Sequence, residues 1–135
     1  MRVAKLLIGT IAALVVFALG ELPLLFVPPD PQAPSQVRPD FLGFESVVSS
    51  IVLSGLCLLC PQARRPLLQG AGVGILAGIL ISLPDQADLY KDSLKDAALF
   101  IPVLMTVELW HFLVWGVAGA AVTWVQEGAN RWSAA

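Results

Sequence analysis

Residues 66–83 read PLLQGAGVGILAGILISL and contain no charged side chain. A run of roughly 17–25 apolar residues is long enough to cross the hydrocarbon core of a bilayer as a helix. Small residues recur at every fourth position of this run, at Gly70, Gly74, Gly78 and Ser82. That spacing places them on one face of a helix, where a second helix can approach closely. The stretch therefore predicts a transmembrane helix that packs tightly against another helix.

Three further apolar runs of similar length cover residues 6–27, 41–60 and 99–125. The 135-residue chain is 57% hydrophobic and only 13% charged, whereas soluble domains have roughly 25% charged residues. So few charges cannot cover a water-facing surface. We therefore predict an all-α, polytopic integral membrane protein, with residues 1–135 forming one transmembrane domain, a bundle of four transmembrane helices. The remaining segments, 28–40 and 84–98, are expected to be outer loops. The first is a proline-rich spacer, and the second contains a short surface helix.

The basic residues predict how the chain crosses the membrane. Five of them fall on one side of the four runs, namely Arg2, Lys5, Arg64, Arg65 and Arg131, against three on the other, namely Arg38, Lys91 and Lys95. Because cytoplasmic loops carry the excess of Lys and Arg, both termini are expected in the cytoplasm. The predicted location is a membrane of the bacterial inner or plasma type. A net charge of −2 without a basic block argues against a nucleic-acid partner.

The first run has a second interpretation. Basic residues, an apolar run and then Ala18-Leu19-Gly20 are also typical of a cleaved secretory signal. Apolar residues resume at once with LPLLFV, residues 22–27. We therefore expect an uncleaved first helix.

The second run also contains small residues at steps of four, namely Ser46, Ser50 and Ser54. Residues 61–65 form a short turn, so helices two and three are expected to be antiparallel neighbours. We predict that the serine face of helix two meets the glycine face of helix three, as in a glycine zipper. A seam between subunits of an oligomer is the alternative role for these faces.

Three ionisable residues, Glu21, Glu108 and His111, lie well inside the predicted spans. A charge facing lipid at mid-depth costs at least about 2.5–3.5 kcal/mol, so these side chains are expected to face the bundle interior. The first hypothesis is a satisfied polar core. The others are a proton or small-ligand site, axial ligation of a haem or chlorophyll-type pigment by His111, and a metal ion bound by all three residues. The sequence itself requires no cofactor or metal.

Cys57 and Cys60 have the CxxC spacing. They lie at the end of a predicted helix, where the helix dipole opposes a thiolate, and on the reducing, cytoplasmic side. We expect ordinary packing, with thiol chemistry or metal binding as the alternative.

The pattern of residues shows no nucleophile–base pair, phosphate loop or cofactor fingerprint, and the segments between the spans are too short for a catalytic domain. We therefore expect a non-enzyme. The leading hypothesis is an accessory or scaffold subunit that packs in a larger membrane complex or forms a homo-oligomer. The alternatives are a minimal proton-coupled transporter of small solutes, using Glu21, Glu108 and His111, and a subunit that holds a haem or pigment at His111.

Overall fold

The computed structural model describes residues 1–23, 44–60, 64–93 and 97–133, although the side chains of residues 82–93, 97–108 and 133 are outside the description. Within these ranges the chain is all-helical, which confirms the all-α part of the predicted fold class. The four helices are α1 (Arg2–Glu21), α2 (Phe44–Leu59), α3 (Pro66–Ser93) and α4 (Ala97–Ser133). The predicted loop 28–40 lies outside the described residues.

The boundaries of α3 and α4 differ from those expected. The third helix continues through Pro84 to Ser93, whereas the sequence predicts an end at residue 83 and a separate surface helix. Oppositely charged side chains three residues apart, at Asp88 and Lys91, favour helix on the far side of the proline. The fourth helix extends the predicted range 99–125 at both ends.

Consecutive helices run antiparallel. One cavity collects Lys5 from the start of α1, Cys60 from the end of α2, Pro66 from the start of α3 and Asn130 near the end of α4. The two chain ends and the turn between α2 and α3 therefore lie at one end of the bundle. Because that end also holds Arg2, Arg64, Arg65 and Arg131, we call it the basic end.

Helices α1 and α4 pack along their length in a fixed antiparallel register. Near the basic end, a Cβ built on Gly9 would meet Val122 of α4. Further along, the rings of Phe17 and Trp115 meet edge to face with centroids 4.8 Å apart. Beyond that contact, the indole N–H of Trp110 donates a hydrogen bond of 3.0 Å to the carbonyl of Gly20.

The glycine face of α3 packs against α4. A Cβ built on Gly74 would fall within 3.0 Å of the Trp115 carbonyl, and one on Gly78 would meet the indole ring of Trp115. Gly70 and Gly119 face each other, since a Cβ on either would lie against the other's carbonyl oxygen. Any side chain here would push the two backbones apart.

This arrangement corrects the predicted pairing of helices two and three. In the described residues α2 packs mainly on α1, also contacts α4, and has its smallest interface with α3. Ser50, Leu53 and Ser54 of α2 are completely buried. The serine face of α2 and the glycine face of α3 therefore both exist, but each has a partner other than the one expected. A repeat of small residues defines a face of a helix and carries no information about which neighbour covers it.

Two helical segments in the described part of the chain are long and apolar enough to cross a membrane, by length and composition. They are Arg2–Glu21 and Leu109–Trp132. The apolar helical segments Phe44–Leu59 and Pro66–Ile81 are shorter.

The contact between α3 and α4 gives a matched pair of glycine substitutions. Gly74→Ala should destabilise the fold by about 1–3 kcal/mol, because the new methyl group collides with backbone. Gly72→Ala should be neutral or stabilise by up to about 1 kcal/mol, since a Cβ there has nothing within 4 Å and alanine favours helix. Thermal unfolding followed by circular dichroism measures both. Equal effects would contradict the described packing.

Candidate functional site

Polar side chains of the described interior gather in two places, one at each end of the contact between α1 and α4. Near the basic end they are Ser54 and Gln126. Towards the other end they are Glu21 and His111. The two groups are separated by the apolar contact of Phe17 with Trp115.

Gln126 connects three helices at the basic end. Its side chain is only 6% exposed. The amide nitrogen donates to the Ser54 carbonyl at 3.2 Å, to the Ser54 hydroxyl at 3.1 Å and to the Lys5 carbonyl at 3.4 Å. With two N–H groups for three acceptors, at least one of these hydrogen bonds is shared.

Ser54 completes this connection, because its hydroxyl donates to the Leu6 carbonyl of α1 at 2.9 Å. The carbonyl of Leu6 also accepts from Thr10 within α1. Gly9 leaves the space that the two side chains occupy: a Cβ on it would collide with the Ser54 hydroxyl and the Gln126 amide. We call Gly9, Ser54 and Gln126 the amide pin.

A cavity of about 120 Å³ lies beside the amide pin, at the basic end. It is lined by residues from all four helices, with polar groups prominent: Lys5, Cys57, Cys60, Gln69, Thr123, Gln126, Glu127 and Asn130. Both cysteines are free thiols and half-buried. The cavity therefore presents two sulfur atoms, one lysine, one glutamate and several neutral polar groups to whatever occupies it.

The other polar group contains two of the three ionisable residues singled out in the sequence. The antiparallel register that pairs Gly20 with Trp110 places Glu21 and His111 at the same level of α1 and α4. Glu21 Oε2 and His111 Nε2 are both inaccessible to solvent. The imidazole lies against two aromatic rings, with centroids 6.1 Å from Phe112 and 6.0 Å from Trp115.

The third of these residues, Glu108, lies on α4 one turn before His111, and its side chain is outside the described part of the structure. The same applies to Ser82 on α3. The Ser50 hydroxyl donates to the Ser46 carbonyl at 2.7 Å, a hydrogen bond within α2. Among the described residues, no group of three or more His, Cys, Asp and Glu is placed to bind a metal ion.

Sequence reasoning missed Gln126 and Gly119. Gln126 follows directly after the predicted end of the fourth span at residue 125, so it was not considered as an interior residue. Gly116 of α4 faces Ile75 and the Ala71 carbonyl of α3, but the closest approach of α4 to α3 backbone is at Gly119. The sequence does place Gly119 on one face of the helix with Trp115 and Thr123, because these three residues follow one another at steps of four.

Comparisons with known proteins identify no relative: no family model, curated protein or solved structure matches this chain. A functional proposal therefore depends on the geometry alone.

The amide pin can be tested by substitution. Gln126→Leu keeps a similar volume but removes the donors to Ser54 and Lys5, so the free energy of unfolding should fall by about 1–3 kcal/mol. Thr10→Val is the control, because the Thr10 hydroxyl bonds only within α1, and it should change stability by less than about 0.5 kcal/mol. Chemical denaturation monitored by tryptophan fluorescence measures both. An unchanged free energy of unfolding in Gln126→Leu would show that the amide pin does not stabilise the fold.

Proposed function

We propose that the protein is a four-helix integral membrane protein whose helices all cross the bilayer, and that it acts as an accessory or scaffold subunit in a larger membrane complex or homo-oligomer. The observation that carries the membrane part is the apolar outer surface of the bundle, combined with polar residues inside it. Polar Ser50, Ser54 and Gln126 are buried, while large aliphatic side chains cover the outside.

The outer face of α1 illustrates this distribution. Leu7, Ile11, Val15 and Leu19 follow one another at steps of four and are 52–61% exposed. Only 17% of the apolar window of α1 is buried, and only 33% of that of α4. The core helix of a soluble protein is mostly buried, and monomeric soluble proteins rarely expose continuous apolar surfaces of this extent. Lipid is the solvent that such faces favour.

The described charges support the same orientation as the sequence. Arg2, Lys5, Arg64, Arg65 and Arg131 lie at the basic end, whereas Glu21 and Glu45 lie towards the other end. The exposed indoles of Trp124 and Trp132 also lie towards the basic end. Tryptophan is enriched at membrane interfaces, and lysine and arginine at the cytoplasmic one. We infer that the basic end faces the cytoplasm.

Helix length raises the question whether α2 and the apolar part of α3 also cross. At a rise of ~1.5 Å per residue, the 28 residues of α3 span about 42 Å and the 16 described residues of α2 span about 24 Å. The described length of α2 is shorter than the ~30 Å core of a typical bilayer, a mismatch that local thinning can accommodate. The side of the membrane on which the turn between α2 and α3 lies distinguishes four crossings from two.

Labelling of introduced cysteines can locate this turn. In a variant with Cys57 and Cys60 replaced by serine, Arg64→Cys should react with a membrane-impermeant maleimide only after the cells are permeabilised. Arg131→Cys is the control, because it is expected inside with either two or four crossings. Labelling of Arg64→Cys in intact cells would mean that only α1 and α4 cross.

The role as a structural subunit is supported by how the described interior is filled. Glycine-mediated backbone contact, the edge-to-face contact of Phe17 with Trp115 and the amide pin lock α1, α2, α3 and α4 together. Such a bundle is suited to holding shape, and its aliphatic outer faces are available to other transmembrane helices. Helices associate in lipid through close packing and interhelical hydrogen bonds.

Native mass spectrometry after gentle solubilisation tests this role. We expect the 14.4 kDa chain within an assembly that contains further copies or other membrane proteins. A visible absorption spectrum of the same sample tests for a haem or pigment at His111. A lipid-bound monomer in every detergent would contradict the subunit proposal.

A second candidate, a proton-coupled transporter of small solutes, is favoured by the shared level of Glu21 and His111 on α1 and α4. A buried carboxyl group and an imidazole at one depth can hold and pass a proton. Glu108, one turn before His111, would extend this group. Nothing in this second candidate depends on a partner protein.

Proton flux in proteoliposomes separates this candidate from the first. Glu21→Gln should reduce a pH-driven flux by at least about 10-fold, because the amide does not ionise. Glu45→Gln changes an exposed carboxylate on α2 and should leave the flux unchanged. Wild-type protein without measurable flux would remove the transporter candidate.

A further inference from the structure

We propose that the cavity at the basic end binds one soft metal ion of the cuprous class, coordinated by the thiolates of Cys57 and Cys60. The inference rests on where the two thiols lie and does not depend on the proposed membrane role. It replaces the sequence-based expectation that these cysteines only pack.

The two sulfur atoms are arranged to act together. Residues three apart on a helix are neighbours on its surface, with Cβ atoms about 5–6 Å apart. The amide of Cys60 still bonds to the Leu56 carbonyl at 3.1 Å, so Cys60 keeps the helical position although α2 ends at Leu59. Both thiols are free and half-buried, and both cysteines line the same cavity. The Cys57 thiol donates a weak hydrogen bond of 4.0 Å to the Gly119 carbonyl of α4, which it would give up on binding a metal as a thiolate. A single ion in the cavity can therefore contact both.

The set of donors selects the kind of metal. Thiolates prefer soft ions, above all Cu(I), and Cu(I) accepts two sulfur ligands in a nearly linear arrangement. Structural zinc instead requires four ligands, and the described residues offer no group of three or more His, Cys, Asp and Glu. Two thiolates therefore complete the coordination of a cuprous ion but supply only half of the ligands that structural zinc requires.

The charges around the site are mixed. Binding of Cu(I) releases two thiol protons and gives a complex with a net charge of −1. Lys5 and Glu127 both line the cavity, so the lysine offsets one of the two negative charges there. The first turn of α3, with Pro66 and Gln69, lines it too, so the positive end of that helix dipole opposes the negative end of α2. The sequence alone shows only the unfavourable dipole of α2.

The cavity has the size and the walls that a small ion needs. Its volume of about 120 Å³ accommodates an ion with both sulfur atoms turned inward. Thr123 and Gln126 supply neutral polar walls. The position at the end of the bundle, beside the exposed Arg64 and Arg65, leaves a route for the metal that does not pass through the packed interior.

Anaerobic titration of the purified full-length protein with Cu(I), against a chromophoric Cu(I) chelator, tests the proposal. We expect one ion per chain, with only sulfur neighbours in the X-ray absorption spectrum. Cys57→Ser and Cys60→Ser should each weaken binding by about 100-fold or more, because the second ligand no longer acts at high effective concentration. The chain has just these two cysteines, so no other thiol can substitute.

Two matched controls address the charge argument. Lys5→Gln should weaken binding roughly 3- to 10-fold, while Arg2→Gln, a cation on α1 that does not line the cavity, should have no effect. Arg64→Gln, which removes an exposed cation at the basic end that does not line the cavity, should likewise leave the affinity unchanged. Circular dichroism confirms that each variant is folded, and alkylation of the wild-type thiols provides the same test without a substitution.

The proposal is overturned by any of three results. The first is equal affinity in the wild type and the double serine variant. The second is one ion per two chains, which would mean a bridge between copies. The third is nitrogen or oxygen coordination in the X-ray absorption spectrum.

Discussion

Backbone-to-backbone contact between α3 and α4 is the constraint on which the rest of the bundle depends. Gly70 and Gly119 meet without side chains between them, and Gly74 rests on the Trp115 carbonyl. At this separation dispersion and weak Cα–H···O contacts act over the whole interface. The Trp115 ring lies over Gly78 of α3 and also meets Phe17 of α1 edge to face. The register of α3 on α4 and that of α1 on α4 are therefore coupled through one residue.

Gln126 and Ser54 are compatible with this packing because their side chains make hydrogen bonds to neighbouring helices. The amide of Gln126 reaches α1 and α2 together, and Ser54 reaches α1. In a bilayer, apolar side chains gain little by leaving lipid, so interhelical hydrogen bonds and close fit determine which helices associate. The same features that would weaken a water-soluble core are suited to a lipid environment.

The helical fold could be predicted from the sequence because length and hydropathy suffice for that step. The small-residue spacing of Gly70, Gly74 and Gly78 also identified a face that meets backbone. It could not identify the partner helix. The spacing shows which side of α3 is flat, but which helix covers that side depends on how all the helices pack together. The short turn after Cys60 makes α2 and α3 adjacent in sequence, yet their mutual interface is the smallest.

The candidate sites show a similar limit. Glu21 and His111 could be singled out because ionisable residues are rare in apolar runs, and the structure puts them at one level of α1 and α4. Gln126 could not, because an amide near a helix end is ordinary until three helices converge on it. The thiol pair was visible as a motif, but the cavity beside it exists only once Lys5 and the first turn of α3 are brought to the end of α2.

The order in which the chain is synthesised gives the α3–α4 contact a further consequence. The helix that covers the glycine face of α3 follows α3 in the chain, and among the described residues α2 has only a small interface with α3. Until α4 is synthesised, the nascent chain carries that groove uncovered. A product truncated before α4 would keep the groove open, and cellular quality control could recognise an incomplete copy by it.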